Sequence, residues 1–268
     1  MSKNIDNPIA AKLFSKMIDV RNTLPVTEDK AEITSILFSN RSGSTYLSSI
    51  LNLEHGKTCF AGEFLSPQWL STAQKNYDLS PCEVIELITE LSKRKKSIFL
   101  KFSYFHYVQL KYKFPDVHDL IINSKIVRLK RKDTKAQVMS RIAARASGYW
   151  HQLNDGTNIG YMPSNLYSDP VTEVMQAVAF TVGCEVGWDV FIENHCRNSH
   201  KLTIYYEEFT KNPLHTLNSL EKLCCLPITD SLDLSHSSLH KKSIYDVDLS
   251  LYEMIFDKAH IYFDNFID

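Results

Sequence analysis

Apolar positions along this chain of 268 residues recur at two different spacings. From Pro8 to Val20, Ile9, Leu13, Met17 and Ile18 fall on one helical face and predict a packing helix. Ile33 to Phe38 is apolar for most of its length and short enough for a buried strand. It runs through a polar turn into a segment whose Leu47, Ile50 and Leu51 form a helical stripe. Ser80-Pro81-Cys82-Glu83 fits a capping box with proline at the first helical position, followed by Val84, Leu87, Ile88 and Leu91 on one face. Ser97 to Phe102, Ile126 to Leu129 and Leu202 to Tyr206 read as further strands, while Cys59 to Leu65 is a short mixed segment. His106 to Phe114 and Val117 to Ile122 read as helical or irregular packing segments. Val171 to Asn194 predicts a long helix with Val174, Ala177, Val178, Thr181, Val182, Glu185 and Trp188 along one side. Asn212 caps a helix that starts at Pro213 and turns Leu214, Leu217, Leu220 and Leu223 inward, and Leu249 to Phe266 predicts a last amphipathic helix. Nearly all-apolar strands that alternate with helices predict one α/β domain over residues 1–268, in three layers, with a central, mainly parallel sheet flanked by helices. Residues 1–30 form an N-terminal helical extension in this reading.

Composition narrows the picture. A hydrophobic content of 44% supports a sizeable core, and a net charge of −1 argues against general polyanion binding. The six cysteines include no C-x-x-C pair, and adjacent Cys224 and Cys225 are poorly placed to bridge each other. They read as reduced thiols of a cytoplasmic protein. The N-terminal MSKNIDNPIAAK has no apolar core followed by a cleavage site, so no signal peptide is expected. Val171 to Phe191 is interrupted by Glu173, Gln176, Glu185 and Asp189 and reads as a buried helix rather than a membrane span.

The turn Ser39-Asn40-Arg41-Ser42-Gly43-Ser44-Thr45 lies between strand and helix. It combines small side chains, hydroxyls, one glycine and one fixed positive charge at a helix N-terminus. Such a turn either cradles an anionic phosphate or simply caps its helix with Ser44 or Thr45. It lacks the second glycine and the lysine of the NTPase P-loop. Glu63 stands among Phe60, Phe64 and Leu65, where desolvation would raise its basicity if it lined a cleft; alternatively it is a solvated loop carboxylate. Lys101 either snorkels at a strand end or faces the site. Between Lys125 and Arg145 eight basic residues meet one acid, Asp133. This is either a solvated face or the ligand edge of the sheet, where a strand gives way to a helix. Trp188 reads as core or as a substrate platform. Tyr104, Phe105, Tyr149 and Trp150 either stack on a sugar face or pack inside. His236 and His240 have a zinc-compatible spacing but no third ligand in view, so no metal is expected.

Arg41-Ser42-Gly43-Ser44-Thr45 resembles the 5′-phosphosulfate loop of sulfotransferases that use 3′-phosphoadenosine-5′-phosphosulfate (PAPS). Arg131, Asp133, Ser140 and Gly148-Tyr149-Trp150 resemble the 3′-phosphate element of the Stf0-type branch. Gly62-Glu63-Phe64 resembles its acidic segment, and Tyr206-Glu207, followed by Asn212-Pro213, its late strand and Y-E motif. These motifs occur in the family's order. The resemblance implies a P-loop-like fold and transfer of a sulfuryl group from PAPS to a carbohydrate hydroxyl. Ser42, Gly43, Ser44 and Thr45 would hold the 5′-phosphate, Arg41 would stabilise the leaving group, and Glu63 would act as general base. Arg131 and Ser140 would hold the 3′-phosphate, with Lys241 and Lys242 near the nucleotide, and Lys101, Tyr149 and Trp150 near the acceptor. Asn40 stands where the family often has proline, and the polar stretch 151–170 reads as an acceptor-specificity loop, so the acceptor is expected to differ from trehalose. A homodimer is compatible with this branch, and no nucleic-acid partner is expected. The rival readings are a nucleotide-dependent phosphotransferase (kinase), which would need Mg²⁺ and ATP, and a non-catalytic anion- or nucleic-acid-binding protein using Lys125 to Arg145.

Overall fold

The computed structural model describes residues 7–26, 33–54, 59–94, 97–148, 151–152, 158–159, 169–224 and 248–264. Tyr149, Trp150, Lys241, Lys242, His236, His240 and most of the 151–170 stretch lie outside them.

A five-stranded parallel sheet runs in the order β2 (Cys59–Gly62), β3 (Ser97–Ser103), β1 (Ile33–Phe38), β4 (Lys125–Lys130), β7 (Lys201–Tyr205). A separate antiparallel pair is formed by β5 (His151–Gln152) and β6 (Asn158–Ile159). Cys59–Gly62, which the sequence pattern leaves as a mixed segment, is thus an edge strand. Four residues are too few to show a strand's period, and the extended form is held from outside. The Asn52 side chain in α2 (Ser44–Glu54) accepts a hydrogen bond from the Ala61 N–H at 3.0 Å and donates one to the Ala61 carbonyl at 2.8 Å, as a neighbouring strand would.

Side chains alternate across the sheet. Ile36, Phe38, Phe99, Val127, Leu129 and Ile204 meet α2, α9 (Tyr206–Lys211) and α10 (Pro213–Cys224) on one face. On the other face, Leu37, Ile98, Leu100, Phe102 and Ile126 meet α1 (Pro8–Thr23), α3 (Pro67–Tyr77), α4 (Pro81–Ser92), α5 (Tyr104–Lys113), α6 (Asp116–Ile122) and α8 (Pro170–His195). The sequence pattern gave no sign of α3, although Ser66 caps it and Pro67 begins it. The Ser80–Glu83 capping box forms as expected, and Val84, Leu87, Ile88 and Leu91 are buried. Leu217 and Leu220 of α10 pack inward, but Leu214, in the first turn of the helix, is half exposed.

Trp188 is core: it is fully buried and its indole N–H donates to the Phe38 carbonyl at 3.0 Å, so α8 is fixed against the last residue of the central strand. By length and composition α8 is apolar enough to cross a membrane, yet Val174, Ala177, Thr181, Cys184, Trp188 and Phe191 pack into the domain while Val171, Met175, Val182, Val186 and Val190 are exposed. Val182 therefore faces away from the side on which periodicity placed it. A third cluster joins α7 (Thr134–Ser147), α8 and α11 (Ser250–Asp264) through Val138, Ile142, Val174 and Phe256.

Because the chain leaves β1 toward β2 on one side and returns to β4 on the other, the carboxyl ends of β1 and β4 border the crevice where α/β sheets bind ligands.

Candidate active site

The turn after β1 is built for close approach. Arg41 and Gly43 both have positive φ, 68° and 88°. A Cβ placed on Gly43 would lie 2.2 Å from the Tyr206 ring, so position 43 has neither the backbone freedom nor the space for a side chain. The Gly43 carbonyl accepts from Leu47 N–H at 3.1 Å and starts α2. Ser42 is fully buried and its Oγ has no hydrogen-bond partner. Such an orphaned hydroxyl costs about 1–3 kcal/mol unless a ligand oxygen satisfies it.

Three further elements grip this turn. Gln137 of α7 donates through Nε2 to Ser39 Oγ at 2.7 Å and to the Asn40 carbonyl at 2.8 Å. Ser140, one turn on, accepts from Arg41 Nε at 3.0 Å. Arg131, just after β4, donates from Nη1 to the Arg41 carbonyl at 3.2 Å, and its guanidinium lies 5.0 Å from the Tyr206 ring centroid. Arg131 Nε is buried without a hydrogen-bond partner, 3.7 Å from Glu207 Oε1. Glu207 also accepts from the N–H groups of Lys132 and Asp133 at 3.0 and 3.2 Å, which fixes the β4–α7 connection from α9. Behind the turn, Ser39 donates to Glu185 of α8, and Glu185 pairs with buried Arg128.

Glu63 follows β2 directly. Its carbonyl accepts from Ser66 N–H at 2.7 Å, and the Trp69 indole covers Gly62, where an added Cβ would come within 2.6 Å of the ring. The carboxylate is not isolated among aromatic side chains, as the sequence suggests. Lys101 Nζ of β3 lies 3.3 Å from Oε1, His106 Nδ1 of α5 lies 3.9 Å from Oε2, and the Glu63 side chain is 18% exposed. Lys101 therefore faces the site rather than snorkelling: it is buried and also donates to Ser48 Oγ of α2 at 3.3 Å. Burial holds the His106 imidazole below its ordinary basicity, with the Glu63 charge opposing the shift.

The basic stretch is not one patch. Arg128 turns away from the turn toward Glu185 and Asp189, Lys130 pairs with Asp189, Lys132 with Glu208, Lys135 with Asp257 and Arg145 with Glu173. Arg131 reaches the turn after β1. Gln137, Glu185 and His106 carry no motif. Their sequence signals are weak: Glu185 is one of several carboxylates in an apolar helix, and His106 is an imidazole in an aromatic run beyond a buried strand.

The parallel sheet thus sets the turn after β1 at its switch point, with the Glu63–Lys101 pair beside it. The chain belongs to the Stf0 sulphotransferase family, whose sequence profile matches residues 91–225, half of the chain. No curated protein shows significant sequence similarity to it. Similar solved structures include mouse sulfotransferase SULT7A1 complexed with PAP, at 14% identity and a TM-score of 0.45 over 81% of this chain and 66% of that one. The sulfotransferase domain of the Synechococcus PCC 7002 olefin synthase matches at 15% identity and 0.49, over 89% and 91% of the two chains. Sulfotransferase STF9 from Mycobacterium avium matches at 14% identity and 0.42, over 95% and 83%.

Proposed function

We propose that this sulfotransferase moves a sulfuryl group from PAPS to a hydroxyl of a carbohydrate or glycoconjugate, in the cytoplasm. The observation that carries the donor is the buried, unpartnered Ser42 hydroxyl in a turn with two positive φ angles at a helix N-terminus, in the Arg-Ser-Gly-Ser-Thr order of a phosphosulfate loop. These residues fit an anionic donor: Ser42, Gly43, Ser44 and Thr45 take the 5′-phosphate end. Arg41 lies beside the oxygen that gains charge as its bond to sulfur breaks. Arg131 and Ser140, both bonded to Arg41, are proposed to grip the 3′-phosphate. Lys241 and Lys242 are proposed near the same nucleotide, and Tyr149, Trp150 and the 151–170 stretch near the acceptor.

Glu63 takes up the acceptor's proton. Lys101, held between Glu63 and Ser48, supplies positive charge between the carboxylate and the phosphosulfate turn. The test is transfer of ³⁵S from labelled PAPS to a panel of mono- and disaccharides. Labelled sugar with the wild-type chain supports the reading; hydrolysis-free donor and no labelled sugar across the panel rejects the carbohydrate acceptor.

A further inference from the structure

His106 belongs to no sulfotransferase motif read from the sequence, yet the fold brings it to the proposed base. Ser103, the last residue of β3, caps α5 by accepting from His106 N–H at 3.3 Å, which fixes the imidazole at the helix start. From there Nδ1 lies 3.9 Å from Glu63 Oε2, with one-fifth of the side chain exposed. The groups around it come from several elements. Glu63 approaches from the β2–α3 turn, and Lys101 of β3 stands behind Glu63. The neighbouring Phe105, with its ring 5.9 Å from the imidazole, packs on Phe180 of α8. Cys184 of α8 adds no charge, since burial pushes its thiol up to about 11.

We propose that Glu63 and His106 act as one carboxylate–imidazole pair, in which the proton taken from the acceptor is passed to His106 and held there. This rests on the sulfotransferase reading with Glu63 at the acceptor hydroxyl. As the acceptor oxygen bonds to sulfur, its proton moves to Glu63 Oε2 and then to Nδ1 of His106, which takes it in the Nε2–H tautomer. The electron pair of the broken S–O bond leaves with the donor's bridging oxygen. His106 then returns the proton to solvent.

Electrostatics decides where the proton rests. On Glu63 it would leave buried Lys101 facing a neutral acid. On His106 it leaves a carboxylate between two cations, with the same net charge and two attractions instead of none. Ordinary imidazole is also more basic than an ordinary carboxylate by about two pK units. The resting 3.9 Å separation is longer than a hydrogen bond, as catalytic contacts often are before substrate closes the site. His106 thus acts through Glu63, as a positioning and proton-holding residue.

The test is a pH titration by NMR of the full-length protein carrying ring-labelled histidine, with the His106 signal assigned from its loss in His106→Gln. His106 is expected to titrate below the ordinary 6.5 in the wild type and lower still in Glu63→Gln. An unchanged midpoint in Glu63→Gln overturns the pairing, and this readout needs neither donor nor acceptor. With a sugar accepted in the ³⁵S assay, His106→Asn is expected to lower kcat at least about tenfold and to move the acid limb of kcat/KM to lower pH, with KM for PAPS unchanged. A wild-type rate and acid limb in that variant overturn the proposal. Binding of 3′,5′-adenosine bisphosphate, measured on the same samples, separates this from failure of the sulfotransferase reading: loss of coupling with binding intact removes only the pair.

Discussion

A single added carbon at position 43 meets the Tyr206 ring and a left-handed backbone at once. Gly43→Ala is therefore expected to displace Tyr206, and with it the Arg131 guanidinium stacked on the same ring. Binding of 3′,5′-adenosine bisphosphate should weaken at least tenfold by calorimetry, while the fold, held by a core on both sheet faces, survives in the circular dichroism spectrum. Glu63→Gln leaves this cradle intact, so the same titration should be unchanged while turnover falls by about two to four orders of magnitude. His106 carries a pH consequence of its own. Burial lowers its basicity in the folded chain, so below the ordinary 6.5 the unfolded chain binds the proton more readily. Its share of stability is complete above that pH and is lost as the pH falls toward the folded midpoint. The melting temperature should thus decline less steeply from pH 7 to pH 5 in His106→Gln than in the wild type.

Among the elements, β2 depends on a side chain from a helix. Asn52 satisfies both backbone groups of Ala61 and so sets the distance between α2, which opens at the turn after β1, and Glu63, two residues beyond Ala61. Asn52→Ala should cost about 1–3 kcal/mol in urea unfolding from two lost hydrogen bonds. It should also lower kcat more than KM for the donor, because Glu63 moves while the turn does not. The long strands and helices were legible because β1, β3 and β4 are mostly apolar and buried on both faces and α4 and α10 carry their caps in the sequence. The strand β2 was not, since its pairing partner on one side is an asparagine nine residues away. At the site, the turn after β1 and Glu63 stood out in the sequence by their resemblance to family motifs. Lys101 was ambiguous until β3 placed it between Glu63 and Ser48. Gln137, Glu185 and His106 could not be found, because each acts through a residue 57 to 146 positions away or beyond a strand whose register only the sheet defines.

At the scale of the whole molecule, the sheet order gathers the ends of β1, β2, β3 and β4 at one edge, and with them Arg41, Glu63, Lys101 and Arg131. The chain is nearly neutral, and the basic residues from Lys125 to Arg145 are shared among α8, α9 and α11 rather than collected into a polyanion track. The positive charge that reaches the crevice is therefore local and suited to a small anion. The most direct test of this account is calorimetric titration of the wild-type chain and Arg131→Ala with 3′,5′-adenosine bisphosphate, 5′-AMP and Mg²⁺-ATP. The account predicts that the bisphosphate binds at least tenfold more tightly than the other two and that Arg131→Ala abolishes the difference. Equal binding of Mg²⁺-ATP, or no binding of the bisphosphate, would contradict it.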